Sequence, residues 1–145
     1  MSETKIRVLL VDDEVYPISL YIKAMSRSGL IVDYCSTTEE AMDSHRASQS
    51  YDVILLDIMM DPGERFEGEA HQGGIRTGIF MLKELMRLHP TTPIIIITNV
   101  SDPDITAELK GMKPSVLIAS KLDYPPLELV DLVERTVSKQ EGVNS

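Results

Sequence analysis

Five short apolar runs govern what this chain can become: IRVLLV (6–11), LIVDYC (30–35), DVILL (52–56), PIIIIT (93–98) and SVLIAS (115–120). Each is mostly Ile, Val and Leu, and such runs mark strands buried on both faces of a parallel sheet. Only LIVDYC alternates apolar with polar residues, as an edge strand does.

Helical spacing fills the intervals. Pro17 suits a first-turn position, and Ile18, Ile22 and Met25 repeat until Gly29 stops the segment. Ser36 and Glu39 read as a capping box for a helix over residues 37–49. Residues 78–89 place Ile79, Leu82, Leu85 and Met86 on one face before Pro90 ends them. Asp102 caps a fourth helix with Pro103 in its first turn and Ile105, Leu109 and Met112 on its inner stripe. The last helix is expected over residues 126–138, with Leu129, Leu132, Val133 and Thr136 inward, followed by a polar tail at 139–145. Five βα units with short links predict an α/β fold. Its five-stranded parallel sheet is doubly wound, with five helices on both faces and right-handed crossovers. Periodicity by itself leaves the strand order open.

A length of 145 residues suits one domain with a single continuous core. The net charge of −9 disfavours nucleic acid, whose phosphates need clustered Lys and Arg, and equally disfavours anionic membranes. A DNA-binding second domain has no room. The one cysteine, Cys35, cannot form an internal disulfide and reads as a small buried hydrophobe in a reducing compartment. No run approaches the roughly 18 apolar residues of a membrane helix, and no signal peptide is visible. A cytoplasmic protein is expected.

Polar residues gather where the apolar runs finish. Asp12 and Asp13 close the first, Asp57 the third, Thr98 the fourth and Lys121 the fifth. Ligands of open α/β sheets bind outside the carboxyl ends of the strands. If the first and third strands are neighbours, all five residues meet in one crevice. Two carboxylates about 4 Å apart repel by roughly 4 kcal/mol at an effective dielectric near 20, so three require protons or a cation. An all-oxygen site suits a hard divalent ion, with Mg²⁺ the default. Asp57 could then attack phosphorus as a carboxylate nucleophile, while Lys121 and Thr98 steady the phosphoryl oxygens. Taken singly, a strand-end Asp is usually a helix cap, Thr98 a β-former and Lys121 a solvated side chain. Their coincidence at successive strand ends is what points to chemistry.

With VLLVDDE (8–14), VILLDIMM (53–60), PIIIITN (93–99) and ASK (119–121) in this order and spacing, the sequence resembles the receiver domain of two-component response regulators. The resemblance covers residues 5–138. It implies a flavodoxin-like sheet of order 2-1-3-4-5. It also implies that Asp57 accepts a phosphoryl group from a histidine kinase or histidine phosphotransfer protein. Asp13, Asp57 and the Met59 carbonyl would ligate Mg²⁺ directly and Asp12 through water, with Thr98 and Lys121 gripping the phosphoryl group. Such a chain catalyses only its own phosphorylation and dephosphorylation, and is not otherwise an enzyme. With no output domain of its own, it would signal to a separate, unknown downstream protein or relay phosphate.

Several positions depart from the family pattern. Ile118 stands where a switch Tyr or Phe is usual. Lys121 is followed by Leu122 instead of the proline whose preceding bond is cis in the family. A non-proline cis bond costs about 2.5–4 kcal/mol, so either the bond is trans and Lys121 sits differently, or the strain is tolerated. Asn99 and Met59 flank the path of the hydrolytic water in the family. An apolar Met59 is expected to orient that water poorly and prolong the life of the phosphoryl group.

The largest departure is the stretch from Ile58 to Thr77. Pro62-Gly63 and Thr77-Gly78 keep the ends of the usual link, so Glu64 to Arg76 is effectively an insertion. Arg65 and Arg76 could reach an anionic aspartyl phosphate, and Phe66 is the one aromatic residue of the insertion. Three readings compete: a solvated insertion of the kind surfaces tolerate cheaply, a lid or kinase-specific contact, and a metal site at His71. The last has no recognisable ligand spacing.

Three functions remain in competition: a phosphorylatable receiver, a phosphorylation-independent binding module on the same fold, and a phosphatase of the haloacid-dehalogenase type. The last normally has its nucleophile in an Asp-x-Asp pair on the first strand, whereas Asp57 lies on the third and the next acid is Asp61. A flavodoxin proper fits poorly, because Asp12, Asp13 and Glu14 would repel a phosphate after the first strand.

Overall fold

The computed structural model describes residues 5–13, 15–58, 73–98, 107, 109–111, 116–121 and 123–144. Five strands form one parallel sheet: β1 (Arg7–Val11), β2 (Ile31–Cys35), β3 (Val53–Asp57), β4 (Ile94–Thr98) and β5 (Leu117–Ser120). Their spatial order is β2-β1-β3-β4-β5, which places the alternating LIVDYC segment at an edge as expected. The described helices are α1 (Val15–Arg27), α2 (Thr38–Ala41), α3 (Ser44–Ala47), α4 (Gly73–Leu88) and α5 (Pro126–Asn144).

The pleat divides the core in two. From β1, Val8 and Leu10 face α1 and α5, joining Ile18, Met25, Leu55, Leu129 and Val133. Leu9 and Val11 point the other way, with Leu56, Ile96, Met81, Leu82 and Leu85 of the α4 layer. All four of these β1 residues are fully buried. Burying such a side chain contributes about 1.5–3 kcal/mol, and a strand covered on both faces collects this at every position. Cys35 is a buried free thiol within the α4-side core, and burial pushes it up to about 12.

Three helix boundaries differ from expectation. The helix expected over 37–49 is two short ones, and its cap lies one residue later. Thr37 Oγ1 accepts from Glu40 N–H at 3.1 Å, while Ser36 N–H and hydroxyl both donate to Glu40 Oε1. Asp43 then takes the Arg46 amide at 2.8 Å and restarts the chain as α3, a side chain competing with the helix for its own backbone. Next, α4 begins at Gly73, five residues before the expected start, so the last residues of the insertion are helical. Ile75, four before Ile79, already continued the apolar spacing back. Finally, α5 runs on through Asn144, so residues 139–144 of the expected tail are helical, in keeping with Lys139, Gln140 and Glu141 being good helix formers.

The fourth expected helix lies largely outside the described residues. Ala107, Leu109 and Lys110 are helical, and Leu109 is buried against the α4-side core.

Candidate functional site

In a parallel sheet all carboxyl ends open on one side, and the register decides which residues share a level. Val11 pairs with Leu56, Asp57 with Ile97, and Thr98 with Ser120. Asp12 and Lys121 follow Val11 and Ser120 directly, so these strand ends converge as the sequence suggested. The strand order supplies the neighbourhood of β1 and β3 on which that convergence depended.

The convergence is tight. One carboxylate oxygen from each of Asp12, Asp13 and Asp57 lies within 4.8 Å of the others. Asp12 is fully buried and Asp57 is 2% exposed. Lys121 Nζ stands 2.9 Å from Asp12 Oδ2 and 3.5 Å from Asp57 Oδ2, so one ammonium serves two buried carboxylates. Among the described residues, this cluster sets three carboxylates against the one lysine. At these separations each carboxylate pair repels by about 3–4 kcal/mol at an effective dielectric of 20. Hard oxygen donors and clustered negative charge are the chemistry that suits Mg²⁺.

Two supports lie just behind the carboxylates. Asp12 N–H donates to the Cys35 carbonyl at 3.1 Å, carrying the β1–β2 ladder one step past the strand. The Tyr34 hydroxyl donates to the Asp12 carbonyl at 2.7 Å. Burial raises the Tyr34 phenol above its ordinary value, and the negative charges of Asp12 and Asp13 raise it further, which keeps it a donor. Sequence reasoning missed Tyr34. Its only trace was the polar alternation of the edge strand, where it pairs with Leu10.

The second support is a close approach. Ile58, next to Asp57, is fully buried, and its backbone lies against α4 at Gly78. A Cβ on Gly78 would coincide with the Ile58 carbonyl oxygen and lie 2.8 Å from its Cα. The residue matching the family's helix-opening glycine therefore has a steric reason to be one.

The other candidates divide by position. Ile118 is half-buried and packs on the α4-side core, a core placement with no ring to swing. The backbone of Thr98 closes β4 and that of Arg76 lies in α4. Met59, Arg65, Phe66, His71, Asn99 and Leu122 lie outside the described residues, and with them the state of the Lys121–Leu122 bond. Among the described residues no helix is long and apolar enough to cross a membrane.

Comparison with known proteins agrees with this fold. The Escherichia coli (strain K12) DNA-binding transcriptional regulator NtrC is 31% identical over 138 residues, covering 90% of this chain and 24% of that protein. The transcriptional regulatory protein ZraR of Klebsiella oxytoca is 26% identical over 129 residues, covering 89% of this chain and 26% of the relative. The chain thus spans about a quarter of the length of these relatives. Among solved structures, a CheY-like response regulator receiver domain protein from Methanospirillum hungatei JF-1 superposes with a TM-score of 0.72. It is 17% identical, and the match covers 96% of this chain and 98% of that one. The Vibrio cholerae chemotaxis protein CheY4 gives a TM-score of 0.71 at 21% identity, covering 92% and 99%. Residues 8–115 match the response regulator receiver domain, and with three clustered carboxylates at the ends of its strands the chain belongs to that family of two-component signalling proteins.

Proposed function

We propose that Asp57 is the phosphoryl acceptor of a two-component pathway or phosphorelay. The observation that carries this is the shared lysine: Lys121 Nζ bridges the buried carboxylates of Asp12 and Asp57 within 3.5 Å of each. In the reaction, an Asp57 carboxylate oxygen attacks the phosphorus of a phosphohistidine. The new P–O bond forms as the P–N bond breaks, and its electron pair returns to the imidazole nitrogen. Lys121 offers an ammonium to the oxygens that gain charge, and the Thr98 hydroxyl a hydrogen bond.

Asp12, Asp13, Asp57 and the Met59 carbonyl are the groups that would hold Mg²⁺, which supplies positive charge to the phosphoryl oxygens when bound. The donor is a histidine kinase or a histidine phosphotransfer protein. The chain's chemistry is confined to its own carboxylate, gained by transfer and lost to water, with Met59 and Asn99 setting the rate of loss. The receiver unit occupies residues 5–138, with α5 continuing beyond it. It passes its signal to a separate protein in the cytoplasm, and its charge of −9 favours a protein surface over nucleic acid. Among the insertion residues, Arg65, Phe66 and Arg76 are those suited to meet the kinase or the phosphorylated carboxylate.

Incubation with acetyl phosphate and Mg²⁺ tests this reading by intact mass. A gain of one phosphoryl group, absent in Asp57→Asn and abolished by EDTA, is the expected result. An unchanged mass for the wild type would replace it with a phosphorylation-independent binding module.

A further inference from the structure

The turn that carries Lys121 from β5 toward α5 is fastened from the opposite end of the chain. Asp123 N–H and Tyr124 N–H both donate to the Ser120 carbonyl at 3.1 Å, closing a turn around Lys121. From α1, the Tyr21 hydroxyl donates to the Tyr124 carbonyl, also at 3.1 Å and 103 residues away in sequence. Tyr21 is 9% exposed and belongs to the core under α1 and α5, against which Tyr124 also packs. Its phenol lies within electrostatic range of the site. After burial, which raises it most, the Lys121 ammonium lowers it and the Asp12 carboxylate raises it.

Lys121 must place one ammonium between two carboxylates, and its side chain is only 10% exposed. A long, rotamer-rich side chain reaches such a point reproducibly only if the backbone it leaves from is held. The position after Lys121 is Leu122, which brings no ring constraint of its own. The two Ser120 bonds close the turn locally, and the Tyr21 hydroxyl ties it to the α1 layer.

We propose that Tyr21 is a positioning residue for Lys121: its hydroxyl anchors the 120–124 turn and thereby sets the ammonium between Asp12 and Asp57. The kinetic consequence rests on the reading of Asp57 as phosphoryl acceptor. The structural consequence does not.

The test compares Tyr21→Phe, Lys121→Met, the double variant and Tyr51→Phe. The last is a control that also loses a buried phenol bond, to Asp33 Oδ2, in a network with Arg46 away from the site. With acetyl phosphate as donor, Tyr21→Phe is expected to lower the saturating rate constant about three- to tenfold, the worth of one net hydrogen bond as a rate. Half-saturation stays unchanged. In the Lys121→Met background the same substitution has no further effect, because its route to the reaction is gone. Independently of phosphorylation, Tyr21→Phe should speed amide exchange at Asp123 and Tyr124 and pulse acylation of the Lys121 amine. Tyr51→Phe leaves all of these at wild-type values. A full Tyr21→Phe defect that persists without Lys121, or exchange and labelling that stay unchanged, overturns the proposal. If the wild type accepts no phosphoryl group, the acceptor reading falls while exchange and labelling still decide whether Tyr21 positions Lys121.

Discussion

Gly78→Ala separates local propensity from tertiary contact. Position 78 lies inside α4, where alanine outranks glycine by about 1 kcal/mol, so propensity alone forecasts a more stable protein. The structure forecasts the reverse. The added Cβ would sit 2.5 Å from the carbonyl carbon and 2.8 Å from the Cα of Ile58, besides overlapping its carbonyl oxygen. Non-bonded carbons prefer about 3.5–4.0 Å, so α4 and the Ile58 backbone must part by roughly 1 Å. Both partners are main chain, and no rotamer change can absorb the overlap. Overpacking of this kind costs about 1–3 kcal/mol, which outweighs the propensity gain. Ile58 adjoins Asp57, so the displacement also reaches the carboxylate, and a misplacement of about 1 Å can cost on the order of a hundredfold in rate. Urea denaturation and acetyl phosphate kinetics would be measured together. Gly29→Ala is the matched control. Gly29 has φ +87° with nothing within 4 Å of a built Cβ, so alanine there costs about 1–2 kcal/mol of backbone strain without touching the site. Gly29→Ala should lose stability and keep its rate, whereas Gly78→Ala should lose both. A stabilised Gly78→Ala with an unchanged rate would refute the close approach as the reason for the glycine.

Three further outcomes follow from the same packing and charge. In metal-free buffer, Asp57→Asn should be more stable than the wild type by about 1–3 kcal/mol, because it relieves two carboxylate repulsions for one lost lysine attraction. Saturating Mg²⁺ should narrow that gap by stabilising the wild type selectively, and urea midpoints with and without EDTA check both. His89 is 5% exposed, its Nε2 has no hydrogen-bond partner among the described residues, and burial depresses its pKa below 6.5. The unfolded chain therefore takes up the proton first as pH falls, so stability is lost below about pH 6.5 and the slope should flatten in His89→Gln. Steep loss in both proteins would assign it to other groups. Cys35, with its thiol pushed up to about 12 by burial, should react with iodoacetamide at pH 8 only as fast as the chain opens. Rapid labelling of the native protein would contradict its burial.

Strand identity and the acidic residues at strand ends were legible in the sequence because each depends on a local pattern. Five consecutive β-branched and leucine-rich runs can satisfy their backbones only in a covered parallel sheet, and the polarity break after each run marks where that cover ends. Helix boundaries were less legible where one local signal competed with another. Asp43 interrupts a periodic segment by capping its own successor, and a glycine-rich stretch obscured the helical spacing that runs back from Ile79 to Ile75.

What the tertiary structure alone decided is the site's spacing and its supports. The sequence places Asp12, Asp57 and Lys121 at strand ends, yet only the order β2-β1-β3-β4-β5 makes them neighbours within an ammonium's reach. Tyr34 behind Asp12, Gly78 against Ile58 and Tyr21 against Tyr124 carry no sequence signature of these contacts. Each is set by which surfaces meet when the two layers close on the sheet. Local periodicity encodes which residues become strands and which face each presents. Contacts between residues distant in sequence depend on how the helices pack across the sheet, and that information is spread over the whole core.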